Sequence, residues 1–227
     1  ILLTKDEVVM QNVPNIRDVN ILINLLKDLN VKVCQSDVDS STYHFKADDV
    51  NIEYLRSEEY KSKSSSIRGS IMMVGPLLAR YGKGYIPKPG GDKIGRRRVD
   101  THFIGFEKLG AKFIYDTKNE CYEVEGSNLT GTYMLLDEAS VTGTANIVMT
   151  AVMSKGKTTI YNAACEPYLQ QLCKMLNSMG AKIRGVGSNL LEIEGVSELS
   201  GCTHRILPDM IEIGSFIGLS AITKSEI

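Results

Sequence analysis

The chain has 227 residues, 43% of them hydrophobic, and a formal net charge of −1. That size suits one large domain or two small ones with a substantial core, and the even charge balance favours neither a nucleic acid nor an anionic membrane as partner. No apolar run reaches the length of a membrane span and no secretory pattern opens the chain. Five cysteines, an odd count with no CxxC pair, argue against a disulfide or zinc framework and for reduced, mostly buried thiols in a cytoplasmic protein.

In chain order, Ile1 to Lys5 resembles the tail of a buried helix, comparable to Ala151 to Lys155. A stripe of Val19, Leu22, Ile23, Leu26 and Leu29 then predicts an amphipathic surface helix that stops at Asn30 and leads into a strand. Tyr43 to Ala47 alternates as a strand should. Ser66 to Arg80 is apolar nearly all round and rich in small residues, which predicts a buried helix. The pattern returns twice. Gly105 to Phe113 and Met175 to Ile183 repeat the helix–Gly–strand passage of Leu25 to Val33, while Gly143 to Ser154 and Gly214 to Thr223 repeat the buried helix. The period of roughly 70–80 residues is longer than that of common solenoids, so it points to a small unit used three times in one domain. The expected fold is α/β (α+β), with three repeated units wrapped around buried parallel helices. Because the repeat begins and ends inside a unit, the chain is expected to be a fragment. Residues 1–207 would form the three-repeat domain and 208–227 would start a crossover into a second one.

Three features bear on chemistry. The segment Pro87 to His102 holds three glycines, two prolines and five basic side chains, which predicts a loop. It reads either as a solvated basic loop or as a loop carrying one acid, Asp92, beside arginines suited to phosphate and carboxylate groups. The buried helices start at Ser64 to Ser70, Ser140 to Thr144 and Glu212 to Ser215, where small and hydroxyl residues cap a helix and leave room for a ligand. Parallel helices would aim their positive ends at one surface, and Arg68 would add a cation there. In Arg205 to Glu212 a proline breaks a strand before the third buried helix, and Asp209 and Glu212 read as helix-start acids. The three histidines, His44, His102 and His204, lack metal-ligand spacing, and Cys165 and Cys173 read as core.

The motif Gly90-Gly91-Asp92-x-Ile94-Gly95-x-Arg97-x-Val99-Asp100-x-His102 resembles the active-site loop of the UDP-N-acetylglucosamine enolpyruvyl transferases. Arg68-x-Ser70-Ile71 with Gly75-Pro76-Leu77, Asn162 to Pro167, and Leu207-Pro208-Asp209-x-Ile211-Glu212-x-Gly214 are similar to that family in the same order. The resemblance implies an inside-out α/β barrel of three units, paired in the family with a second such domain across the substrate cleft. It implies transfer of the enolpyruvyl group of phosphoenolpyruvate to the 3′-hydroxyl of UDP-N-acetylglucosamine, with no cofactor and no metal, as the opening step of peptidoglycan synthesis. It places Asp92 at the loop position of the catalytic acid and matches Arg68 and Arg97 to arginines that hold phosphoenolpyruvate. It matches Arg97, Arg98, Val99, Asp100, Thr101 and His102, together with Glu138, Ser140, Val141 and Thr142, to the nucleotide site. It also makes Glu166 and Asp209 candidates for further cleft carboxylates.

Some positions depart from the family pattern. Asp92 stands where Cys is common, Arg98 where Pro is frequent, and Glu138 where Lys often occurs. Glu138 puts a side-chain contact to the diphosphate in doubt and leaves its backbone as the expected contact there. A carboxylic acid must be protonated to donate, whereas Lys93 and Arg97 favour the ionised form of Asp92. The family's upstream Lys-Asn pair and the proton-accepting carboxylate of the second domain are not in this chain, so the chain alone is expected to be inactive. Two alternatives remain at this point: a sister enzyme acting on shikimate phosphate, and a non-catalytic repeat domain.

Overall fold

The surface helix of each unit closes on a residue in the left-handed region followed by the same backbone hydrogen bond, and this pairing marks out the repeat in space. Asn30, Gly110 and Gly180 have φ of 66°, 98° and 102°. Behind each, the next amide reaches back to an earlier carbonyl: Val31 to Leu26, Ala111 to Phe106 and Ala181 to Leu176. Glycine and asparagine tolerate that conformation, so the chain turns sharply from helix to strand at equal places in three units.

The computed structural model describes residues 1–86, 99–117 and 121–227. The first unit runs β1 (Glu7–Gln11), α1 (Arg17–Asp28), β2 (Lys32–Gln35) and β3 (Tyr43–Lys46). A short α2 (Glu58–Ser64) follows, then a 3-10 stretch Arg68–Met73 that continues as α3 (Val74–Tyr81). The second is β4 (Lys83–Ile86), α4 (Asp100–Lys108), β5 (Lys112–Asp116), β6 (Cys121–Glu125), β7 (Tyr133–Leu135) and α5 (Val141–Ala151). The third is β8 (Lys157–Tyr161), α6 (Pro167–Ser178), β9 (Lys182–Arg184), β10 (Leu190–Glu194), β11 (Cys202–Arg205) and α7 (Met210–Thr223).

Each unit contributes an antiparallel sheet, with strand orders β11-β1-β3-β2, β4-β6-β5 and β7-β8-β10-β9. Two sheets are laced to a neighbouring unit by a parallel strand: β7 of the second unit lies on β8 of the third, and β11 of the third returns to β1 of the first. Asn12 and Asn162, at matching places after β1 and β8, clamp these joints. Both have positive φ, and their side-chain amides donate to the carbonyls of Ile206 and Leu136, each at a distance near 3 Å.

The core sits around α5. Every residue from Gly143 to Ala151 is buried, as the all-round apolar sequence predicted. On one side, Gly75 of α3 approaches so closely that an added Cβ would lie 2.7 Å from the Asn146 carbonyl oxygen. On the other, a Cβ on Gly105 of α4 would lie 2.2 Å from the Ile147 side chain. The contacts run in step along the chain. Ile71 meets Asn146 and Gly75 meets Thr150, while Thr101 meets Gly143 and Gly105 meets Ile147. The 3-10/α3 segment, α4 and α5 are therefore parallel. Replacing Gly75 by alanine is expected to destabilise the polypeptide by about 1–3 kcal/mol, because overpacking against backbone outweighs alanine's helix preference. The urea midpoint should fall, and an unchanged midpoint would show that α3 and α5 can part without cost.

Three sequence expectations need correction. The helix predicted from Gly214 to Thr223 exists within α7, but no residue of it is buried, and Ile211, Phe216, Ile217, Leu219 and Ile222 are all more than half exposed. All-round apolarity reports that a helix needs cover; among the described residues nothing encloses this one. The first buried helix does not start at Ser66. Ser64, Ser65 and Ser66 end α2, where their hydroxyls donate back to carbonyls three residues earlier, and the inner segment begins at Arg68. Cys34 and Cys165 are exposed, so the thiols are not mostly buried. Cys165 lies in the turn before α6, where Ala163 and Ala164 fill the core instead.

Candidate functional site

Parallel packing brings three chain starts together. Arg68 opens the 3-10 stretch, Val99 to His102 open α4, and Ser140 to Thr142 open α5. Ser140 caps α5 by accepting from the Gly143 amide at 3.1 Å, which leaves the first-turn amides ahead of it without intrahelical acceptors. The positive ends of α4 and α5 and the Arg68 guanidinium thus lie at one end of the inner bundle. Gly143 makes this closeness possible, because a Cβ there would meet Thr101 at 2.7 Å.

Beneath this surface lies a polar network. His102 is only 1% exposed. Its Nδ1 is 2.9 Å from the Asn146 side-chain nitrogen and its Nε2 is 3.3 Å from the Thr142 hydroxyl. Asn146 also donates to the Ile71 carbonyl at 2.9 Å and accepts from the Gly75 amide at 3.1 Å. Burial, with Arg68 nearby, pushes the His102 pKa down to about 4, so the ring is neutral at physiological pH. No motif of the sequence marks Asn146. The one signal available was an amide side chain between Ala145 and Ile147 in an otherwise apolar helix.

The remaining sequence candidates fall as follows. Arg68 and Ser140 are partly buried, and Asp100, Glu138 and Thr142 are exposed beside them in the chain starts. Thr101 is 4% exposed and packs against α5. The Glu138 carbonyl accepts from the Ser140 amide, leaving its side chain outward. Glu166 is the N-cap residue of α6, and its Oε2 is buried without a hydrogen-bond partner among the described residues. Asp209 caps α7, accepting from the amides of Ile211 at 2.8 Å and Glu212 at 3.3 Å. Asp92, Arg97 and Arg98 lie outside the described residues. Among the described residues no cluster of three or more His, Cys, Asp or Glu side chains is arranged to hold a metal ion, and no helix is long and apolar enough to cross a membrane.

Three laced units around parallel inner helices, with cationic helix starts at one end, define the enolpyruvyl transferase fold. The crystal structure of the enolpyruvyl transferase NikO from Streptomyces tendae matches 95% of this chain with a TM-score of 0.79 at 17% identity, over 50% of its own length. An EPSP synthase from Acinetobacter baumannii matches 95% with a TM-score of 0.67 at 14% identity, over 47% of its length. The family model for EPSP synthase (3-phosphoshikimate 1-carboxyvinyltransferase) matches residues 2–227, and the chain belongs to that family. Among curated relatives, proteins named UDP-N-acetylglucosamine 1-carboxyvinyltransferase are similar over 226 residues, all of this chain. They include one from Bacteroides fragilis at 64% identity and one from Porphyromonas gingivalis at 61%. The chain spans about half the length of these relatives, 52% in both cases.

Proposed function

We propose that this chain is one domain of an enzyme that transfers the enolpyruvyl group of phosphoenolpyruvate to the 3′-hydroxyl of UDP-N-acetylglucosamine, at the start of peptidoglycan precursor synthesis in the cytoplasm. The observation that carries this reading is the convergence of Arg68 with the starts of α4 and α5, in a chain 61–64% identical throughout to proteins bearing that name. The reaction is an addition followed by an elimination. The sugar 3′-hydroxyl gives up its proton as its oxygen bonds to C2 of phosphoenolpyruvate and C3 gains a proton; then C3 loses a proton, the C2–O bond to phosphate breaks and inorganic phosphate leaves. Charge on phosphate and carboxylate is best held by fixed cations and helix starts. In this reading Arg68 and Arg97 hold phosphoenolpyruvate and Asp92 is the loop acid. Arg97 to Thr101 and Glu138 to Val141 face the nucleotide, with Glu166 and Asp209 as carboxylates bordering the cleft.

Residues 1–207 are the repeat domain of this reading and 208–227 the passage to a second domain. The exposed apolar surface of α7 supports that division. So does a groove of about 600 Å³ between α7 and the repeat domain, lined by Pro14, Ile16, Tyr168, Leu207, Ile213 and Phe216. A large apolar surface of this kind marks an interface.

The family model carries the name of the shikimate enzyme, so the acceptor is what must be tested. The full-length polypeptide should release phosphate from phosphoenolpyruvate with UDP-N-acetylglucosamine and not with shikimate 3-phosphate, while the 227-residue chain alone releases none above background. Turnover with shikimate 3-phosphate alone would establish the sister activity. Absence of turnover and of ligand binding would leave a non-catalytic repeat domain.

A further inference from the structure

We propose that His102 is a positioning residue that fixes the Thr142 hydroxyl as a hydrogen-bond donor to an anionic oxygen of the bound nucleotide's diphosphate. This rests on the function proposed above and deepens it.

The direction of each hydrogen bond follows from two backbone groups. The Gly75 amide can only donate, so the Asn146 atom 3.1 Å from it is the amide oxygen. The Ile71 carbonyl can only accept, so the Asn146 atom 2.9 Å from it is the amide nitrogen. Asn146 is thereby fixed in one orientation, and its second N–H points at His102 Nδ1, 2.9 Å away. Nδ1 must accept and carries no proton. A neutral imidazole holds its proton on the other nitrogen, so Nε2–H donates to the Thr142 oxygen at 3.3 Å. Arg68, the charge felt by the ring, disfavours a second proton, and burial does so more strongly.

Thr142 differs from the other hydroxyls of α5. Thr144 accepts from the Ala164 amide, and Thr150 donates to carbonyls inside the bundle. The Thr142 hydroxyl accepts from His102 and gives its own proton to no acceptor among the described residues. It is exposed in the first turn of α5, where the helix end favours negative charge. Without His102 the hydroxyl would be free to rotate, and its proton would have no set direction. With it, the sequence Asn146 to His102 to Thr142 delivers one donor outward, beside the first-turn amides. The inference is specific to a phosphate-type oxygen: a ligand group that only donates would oppose the Thr142 proton.

The test uses the full-length polypeptide and calorimetric binding of UDP, with uridine as the uncharged control. Thr142→Val should weaken UDP binding about tenfold or more, the scale of a hydrogen bond to a charged group, and leave uridine binding unchanged. Thr142→Ser should restore it. His102→Phe should weaken UDP to a similar degree, and the double variant should be no weaker than either single one, since one bond is lost in each case. Independent effects that add would reduce His102 to a structural role and overturn the proposal. His102→Phe fills a buried site and is exposed to misfolding. The tautomer is therefore also read directly in the unaltered protein by 15N NMR of labelled histidine, where a bare Nδ1 and a protonated Nε2 are expected. The opposite tautomer, or UDP binding indifferent to Thr142→Val, overturns the inference while the proposed function stands. Failure of the unaltered polypeptide to bind UDP at all overturns both.

Discussion

Replacing Arg68 by alanine in the full-length polypeptide is expected to lower kcat/KM for phosphoenolpyruvate by roughly 10²–10³-fold, the scale seen when one fixed donor to developing charge is removed. Arg68 stands at the opening of the 3-10 stretch, and its backbone is held through Ile71, whose carbonyl is bound by Asn146. The side chain is thus presented by a rigid element beside the starts of α4 and α5. A guanidinium engages carboxylate or phosphate with two parallel donors, whereas lysine offers a point charge. Arg68→Lys should consequently recover only part of the loss. The proposed function puts the nucleotide at the neighbouring helix starts, so its dissociation constant should stay within about twofold, well under the 1.4 kcal/mol that marks a tenfold change. Steady-state kinetics with each substrate varied in turn separates the two effects. Equal losses for both substrates would mean that Arg68 organises the whole bundle end, and an unchanged kcat/KM would remove it from the site.

Much of this architecture was legible in the sequence because it depends on local rules. The surface helices follow from the 3.6-residue stripe, and their ends from Asn30, Gly110 and Gly180, which occupy the left-handed positions that those residue types permit. The burial of α5 follows from its apolarity on every face. The same rule failed for α7, because apolarity says that a helix is covered without saying by what. The start of the first inner helix was misplaced because serines serve equally well to open a helix or to bond back at the end of one, and Ser64 to Ser66 do the second. The geometry of the candidate site is only partly legible in the sequence. Arg68 and Thr142 are marked by residue type and by resemblance, yet their meeting depends on α3 and α5 running parallel. Asn146 and its partners Ile71 and Gly75 are more than 70 residues apart in the chain, so no local pattern announces them. The resemblance puts His102 in a ligand-facing run, whereas the first turn of α4 carries it into the core.

Under the proposed function, Asp92 is expected to set the response to fosfomycin, an epoxide phosphonate that alkylates the loop cysteine of the family this chain resembles. Opening an epoxide needs a nucleophile at one ring carbon while the ring oxygen takes the leaving electron pair and a proton. A thiolate does this readily at neutral pH, and nearby cations increase the thiolate fraction; a carboxylate is a far weaker nucleophile. Position 92 is aspartate, and the five cysteines of this chain lie elsewhere in the sequence. Two of them, Cys34 and Cys165, are exposed, and neither lies in the chain segments of Arg68, α4 or α5 whose starts form the proposed anion site. The full-length enzyme is therefore expected to keep its activity after preincubation with fosfomycin and dilution into assay. Asp92→Cys should introduce time-dependent inactivation, with one adduct mapped to position 92, because the anion site proposed for phosphoenolpyruvate would also hold the phosphonate. Asp92→Ala should separate chemistry from binding. Turnover should drop by roughly 10²–10⁴-fold, the range for loss of a general acid, while the uridine nucleotide still binds. If the unaltered enzyme is inactivated covalently and the adduct lies on Asp92, the difference in nucleophilicity is not what protects it. If Asp92→Cys resists the drug while remaining active, residue 92 does not face the anion site.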